Sequence, residues 1–199
     1  KIGNGVLSLN EKSQPDSYIG YMAFCGCISL TEIEMPMMEP ICSESGDNYD
    51  FGISQVFEGA KSNIKKITIT NGTAVNSSFF NGMNTVTEIV LPEEVTKIEK
   101  RAFMDCTSLS KVNMPDGITS IGDEAFYGCK NLEQIVIPEK TKYIGEQAFH
   151  RCEKSKEITI PDSVSTIGKN AFSSCEGLEK VKIGNGVLSL NEKSQPDSY

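Results

Sequence analysis

Apolar residues recur along this chain with a period of 23, far longer than the period of a helix or a strand. Ser120–Lys142 reads SIGDEAFYGCKNLEQIVIPEKTK, and the same grammar returns in Lys97–Thr119, Tyr143–Ser165 and from Thr166 onward. Such self-similarity must be read before any local propensity, because it marks units that fold only by stacking on one another. A Phe landmark falls at Phe24, Phe57, Phe80, Phe103, Phe126, Phe149 and Phe172, with one spacing of 33 followed by five of 23. About seven repeats are therefore expected over residues 1–199, as one domain.

Each unit has two halves. In Leu132–Pro138, Ile135 and Ile137 alternate with Val136, the pattern of a half-buried strand, and Pro138 ends it because proline cannot donate to a ladder. The same reading gives strands at Ile33–Met35, Ile67–Ile69, Ile89–Leu91, Val112–Met114, Ile158–Ile160 and Val181–Ile183. The other half, Ser120–Phe126, offers a lone inward Ile121, then Gly122, then a short apolar turn with room for one helical or 3₁₀ turn. Gly122, Gly145 and Gly168 mark expected sharp bends.

No unit can bury its Ile, Phe, Cys and Leu alone. Stacked units form columns of like side chains and one continuous core. The fold class expected is an α/β solenoid, mostly β, with parallel strands about 4.8 Å apart from coil to coil. The bulkier turn side would curve it into a horseshoe with the sheet on the concave face. The pattern I-G-x-x-A-F-x-x-C-x-x-L-x-x-I-x-I-P resembles the leucine-rich repeat of the BspA, or Treponema pallidum, type, with its best copies between Lys97 and Ile183. The resemblance implies a leucine-rich-repeat horseshoe, display on a bacterial or protozoan surface or secretion from it, and adhesion to host matrix or microbial surface proteins.

Two departures interrupt the period. Ten extra residues lie within Met37–Gln55, which is rich in Ser, Gly, Asp and Asn and reads as a loop insert. The second departure is a duplication: residues 1–18 and 182–199 are the same 18 residues, KIGNGVLSLNEKSQPDSY, at an offset of 181. The favoured reading is a window from a tandem array of 181-residue super-repeats; the alternative is an artificial duplication. The chain begins in mid-pattern, so any leader or anchor is expected outside it. The open strand edges of a coil stack also suggest head-to-tail self-association, or a structural spacer with no dedicated ligand.

Composition narrows the partners. Lys plus Arg number 19 against 27 Asp plus Glu, a net charge of −8 that disfavours nucleic acid and anionic membrane. No apolar run approaches the roughly 20 residues of a membrane helix, so no membrane insertion is expected. Five of the seven cysteines, Cys27, Cys106, Cys129, Cys152 and Cys175, share one repeat position and read as a column of free, buried thiols.

The expected binding surface is the concave face. Its outward residues are Glu32 and Glu34, Lys66 and Thr68, Glu88 and Val90, Lys111 and Asn113, Gln134 and Val136, Glu157 and Thr159, Lys180 and Lys182. A merely solvated sheet face is the competing reading. Lys111, Asn113, Gln134 and Val136 lie mid-stack and are the expected anchors. Glu39, Glu44, Asp47 and Asp50 crowd the insert, but without the spacing of a calcium loop. His150 is the single histidine, in a slot that is Tyr127, Met104 or Ser173 elsewhere, and reads as a tolerant surface position. It has no Ser or Cys beside it that would make a triad, and Cys25-Gly-Cys27 lacks the second pair a zinc site needs. No enzymatic activity and no cofactor or metal are expected. Asn71-Gly-Thr73 and Asn76-Ser-Ser78 fit the glycosylation pattern, which matters only in a eukaryotic secretory pathway.

Overall fold

A computed structural model describes Ile19, residues 21–38 and residues 52–187. The chain is a parallel β-solenoid. Its elements are β1 (Glu32–Met35), α1 (Ile53–Val56), β2 (Lys66–Ile69), β3 (Ala74–Val75), β4 (Glu88–Val90), β5 (Lys97–Ile98), β6 (Lys111–Val112), β7 (Ser120–Ile121), β8 (Tyr143–Ile144), β9 (Glu157–Ile160), β10 (Thr166–Ile167) and β11 (Lys180–Ile183).

The expected parallel sheet is present, in two pieces. One runs β1-β2-β4-β6 and the other pairs β11 with β9. Between them Ile135 makes only a single bridge, to Ile158. The strand expected at Val112–Met114 stops at Val112, and none forms over Ile135–Ile137. The first of these ladders ends at Asn113. It does not face outward as an anchor: its side-chain amide turns onto the neighbouring coil, where Oδ1 accepts the Leu91 N–H at 2.7 Å and Nδ2 donates to the Leu91 carbonyl at 2.9 Å. The side chain thereby takes the place of one rung of the ladder.

A second sheet was not anticipated. The Ile that opens each unit lies on a short strand, and five of these pair in parallel in the order β10-β8-β7-β5-β3. Val75, Ile98, Ile121, Ile144 and Ile167 stand opposite one another in register. Gly122, Gly145 and Gly168 follow the last three of these. Their role is close approach, not a bend: a Cβ on Gly122 would lie 2.7 Å from the Lys100 nitrogen and 2.8 Å from the Glu99 carbonyl carbon of the preceding coil.

Among the described residues the turns are not helical, apart from the four residues of α1. Residues two before and two after the Phe landmark adopt positive φ, as in Arg101 and Asp105, Glu124 and Gly128, Gln147 and Arg151, Asn170 and Ser174. This alternation of left- and right-handed residues aligns every second peptide plane along the solenoid axis. The Phe103 N–H donates to the Ala125 carbonyl, that of Phe126 to Ala148 and that of Phe149 to Ala171, each at 2.7 Å. The remaining planes close tight turns within a coil, as from the Met104 N–H to the Arg101 carbonyl at 3.0 Å.

The core lies inside these three ladders. Phe80, Phe103, Phe126 and Phe149 are buried and stack at 5.0, 4.7 and 5.0 Å between ring centroids, and Phe24 stacks on Phe57 at 4.9 Å. Each fully buried ring contributes up to about 3 kcal/mol of hydrophobic stabilisation. Four of the five cysteines of the column are in file as expected: Cys106, Cys129, Cys152 and Cys175 are buried, and each thiol donates to the carbonyl of the preceding coil's Phe, at 3.1, 3.1, 3.4 and 3.1 Å, whereas Cys27, expected among them, is exposed in the first described coil. One position breaks the core. Where other coils place Leu109, Leu132 and Leu178, the coil of Phe149 has Ser155, whose buried hydroxyl has no partner.

The two ends of the insert fold into the core, since Met38 and Ile53 are buried. Residues 39–51, with the acidic cluster, lie outside the described residues, as do 1–18 and 188–199.

Candidate functional site

The outer face of the first sheet is built by strand register. Glu32 stands opposite Lys66, Lys66 opposite Glu88, and Glu88 opposite Lys111. Farther along, Glu157 stands opposite Lys180. Signs therefore alternate from coil to coil. Glu88 lies 3.5 Å from Lys66 and 3.9 Å from Lys111, and Lys180 lies 3.5 Å from Glu157. Exposed ion pairs of this kind are worth less than about 1 kcal/mol each, but they fix the side chains and cancel the field over the face. Five of the expected binding residues, Lys66, Glu88, Lys111, Glu157 and Lys180, are thus also engaged in ion pairs between coils. Thr68 and Val90, opposite each other in β2 and β4, are half-buried.

Gln134 occupies the one slot in this file without charge, at the coil where strand pairing fails. A shallow cleft opens there, lined by Gln134, Val136, Glu139, Glu157 and Thr159, with Ile135 and Ile137 at its floor. Val136 is 48% exposed, the one large apolar side chain among the described residues so exposed on this face away from the end coils. Of the expected anchors, Gln134 and Val136 are brought together with Glu157 and Thr159, Lys111 stands one coil away, and Asn113 is withdrawn. A sequence signal for the cleft existed: Gln134 is the neutral member of an otherwise alternating row.

The chemistry of the remaining candidates is limited. Burial pushes the Cys106, Cys129 and Cys152 thiols well above the ordinary range and Cys175 in the same direction, so these sulfurs are poor nucleophiles. His150 is half-buried and stacked on Tyr127 at 4.9 Å, with Nδ1 buried and unpartnered among the described residues. The Asn76 side chain donates to the Met38 carbonyl at 2.9 Å, which ties down one of the two glycosylation candidates. Among the described residues no group of three His, Cys, Asp or Glu could hold a metal ion. No helix among them is long and apolar enough to cross a membrane.

Solved structures share this architecture. A leucine-rich-repeat protein from Bacteroides ovatus is 34% identical over 76% of this chain, with a TM-score of 0.54. A leucine rich cell surface protein from Faecalibacterium prausnitzii is 27% identical over 82%, with a TM-score of 0.57. The T. pallidum leucine-rich-repeat protein is 22% identical over 78% of this chain and 70% of its own, with a TM-score of 0.54, a likeness of fold. The chain spans 33% of the B. ovatus protein and 44% of the F. prausnitzii protein. No curated protein sequence matches it. The profile of the BspA type leucine rich repeat region matches residues 7–48 and 73–196 in 6 copies. With the Phe, Cys and Ile columns in file and most of the sequence matched, the chain belongs to the BspA-type leucine-rich-repeat family.

Proposed function

We propose that this chain is an adhesive protein-binding module of a cell-surface or secreted protein, and that it takes its partner on the outer face of the first sheet. The observation that carries the reading is the cleft at Gln134, Val136 and Thr159, where the charge row and the strand ladder lapse together and an apolar side chain stands exposed. Elsewhere on the face Lys66, Glu88, Lys111, Glu157 and Lys180 are matched within the protein. A partner therefore gains most by covering Val136, with Glu157, Thr159 and Lys111 as a polar rim. Repeat solenoids offer such faces to extended proteins, so a host matrix protein or a microbial surface protein fits better than a small molecule. The surface location is supported by the F. prausnitzii relative, described as a cell surface protein. Catalysis has no part in this reading.

The test is binding of the chain to immobilised matrix proteins by surface plasmon resonance, with Val136→Asp compared against the parent. Val136 is exposed, so the fold survives the change. Saturable binding weakened tenfold or more by Val136→Asp supports the site; equal binding by both proteins removes it.

A second reading, a self-assembling repeat array, is favoured by the identity of residues 1–18 with 182–199.

A further inference from the structure

We infer that the cleft at Val136 takes an extended, basic segment of a partner protein: an apolar side chain seated on Val136, and a lysine or arginine two residues along held by Glu139 and Glu157. The inference rests on the proposed binding role of this face and names the chemistry of what the face binds.

The cleft lies inside the stack. Its walls are the Gln134 coil and the Glu157 coil, and each has a described coil on both sides, the outer ones carrying Lys111 and Lys180. Its opening is therefore a property of the fold. It encloses about 250 Å³, room for one or two side chains but not for a helix about 10 Å across.

Its charge is one-sided. The charged side chains that line it are Glu139 and Glu157, and no lysine or arginine joins them. Cations close by are held elsewhere: Lys111 lies 3.9 Å from Glu88, and Lys154 lies 3.1 Å from Glu133. Glu139 makes no ion pair among the described residues. Glu157 has Lys180 at 3.5 Å, with both side chains exposed. Exposed pairs of this kind are weak, so an incoming cation joins or displaces Lys180 at little cost. An acidic segment would meet two carboxylates instead. The net charge of −8 also draws basic partners toward the protein.

The main chain favours an extended occupant. In an unbroken ladder the Ile137 N–H would donate to the Thr159 carbonyl, but beyond the Ile135–Ile158 bridge no such bond forms among the described residues. One donor and one acceptor beside the cleft are thus left for a partner's backbone, the means by which extended segments are held. Side chains two apart on such a segment point the same way, so one can rest on Val136 while the other reaches the glutamates.

The test is a titration of the isotope-labelled whole chain, followed by backbone amide NMR. The probe is a synthetic peptide that carries leucine and, two residues on, arginine among threonines. A second peptide has citrulline, neutral and of similar shape, in place of the arginine. Shifts at Val136, Glu139, Glu157 and Thr159 are expected with the arginine peptide. Affinity should fall at least about threefold for the citrulline peptide and for Glu139→Gln/Glu157→Gln, and added salt should weaken binding. Both glutamates are exposed, so the variant folds. Equal affinity for the two peptides, shifts away from the cleft, or no binding at all each overturns the inference and leaves the binding face to be judged by Val136→Asp against matrix proteins. Failure of the face itself shows separately, as equal matrix-protein binding by the parent and Val136→Asp.

Discussion

The side-chain amide of Asn113 pairs with both backbone polar groups of Leu91, one coil away, at 2.7 and 2.9 Å. Leu91 is buried, so water cannot replace that partner. Asn113→Ala should therefore destabilise the protein by about 1–3 kcal/mol, the cost of leaving buried backbone groups unpaired. Urea unfolding gives the number. If Asn113 were instead a solvated residue of the binding face, the midpoint would not move.

Ser155 sets the opposite expectation. It holds a leucine slot, is fully buried, and keeps its hydroxyl without a partner. Ser155→Leu removes an unsatisfied polar group and adds apolar burial, a gain on the order of 1–3 kcal/mol. A raised unfolding midpoint confirms it. A lowered one would mean that the coils have closed over the smaller side chain and that leucine overpacks the site.

Gly122 is held by space. A Cβ there meets backbone atoms of the preceding coil at 2.7 and 2.8 Å, and neither neighbour is a flexible side chain. Gly122→Ala should cost about 1–3 kcal/mol by forcing coils apart. Thermal unfolding of the variant against the parent decides the point, and an unchanged Tm would contradict the close approach.

The thiol column makes stability fall in alkali. An ordinary thiol ionises near 9.0, and burial raises the folded values of Cys106, Cys129 and Cys152 well above that. The unfolded chain therefore loses these protons first. Their contribution is fully present below pH 9 and declines as pH rises toward the folded values, by about 1.4 kcal/mol per pH unit for each thiol. Unfolding free energy measured from pH 8 to 10.5 should show this slope, and Cys129→Ala should flatten it by the share of one thiol. An identical slope in the variant would contradict the burial of Cys129.

Much of this architecture was legible because a long period is insensitive to local detail. Phe103, Phe126 and Phe149 fall 23 apart, and their rings stack. What escaped depends on atoms that periodicity ignores. Ile121 and Ile144 read as lone inward residues, since two-residue strands carry no alternation, yet they pair in a sheet. Gly145 reads as a bend because sequence does not register the distance to the coil beneath. Asn113 reads as outward because strand alternation put it there; an amide long enough to replace a backbone rung overrode that alternation.

The central claim is that like side chains in successive coils lie over one another. Methyl and aromatic NOEs test it most directly, with Ile98, Ile121 and Ile144 and with Phe103, Phe126 and Phe149 assigned. Cross-peaks between each residue and its counterpart 23 positions on are predicted, since the rings lie 4.7 and 5.0 Å apart and the isoleucines are paired in register. Their absence, with contacts confined to neighbours within a single repeat, would contradict the stacked solenoid and everything built on it.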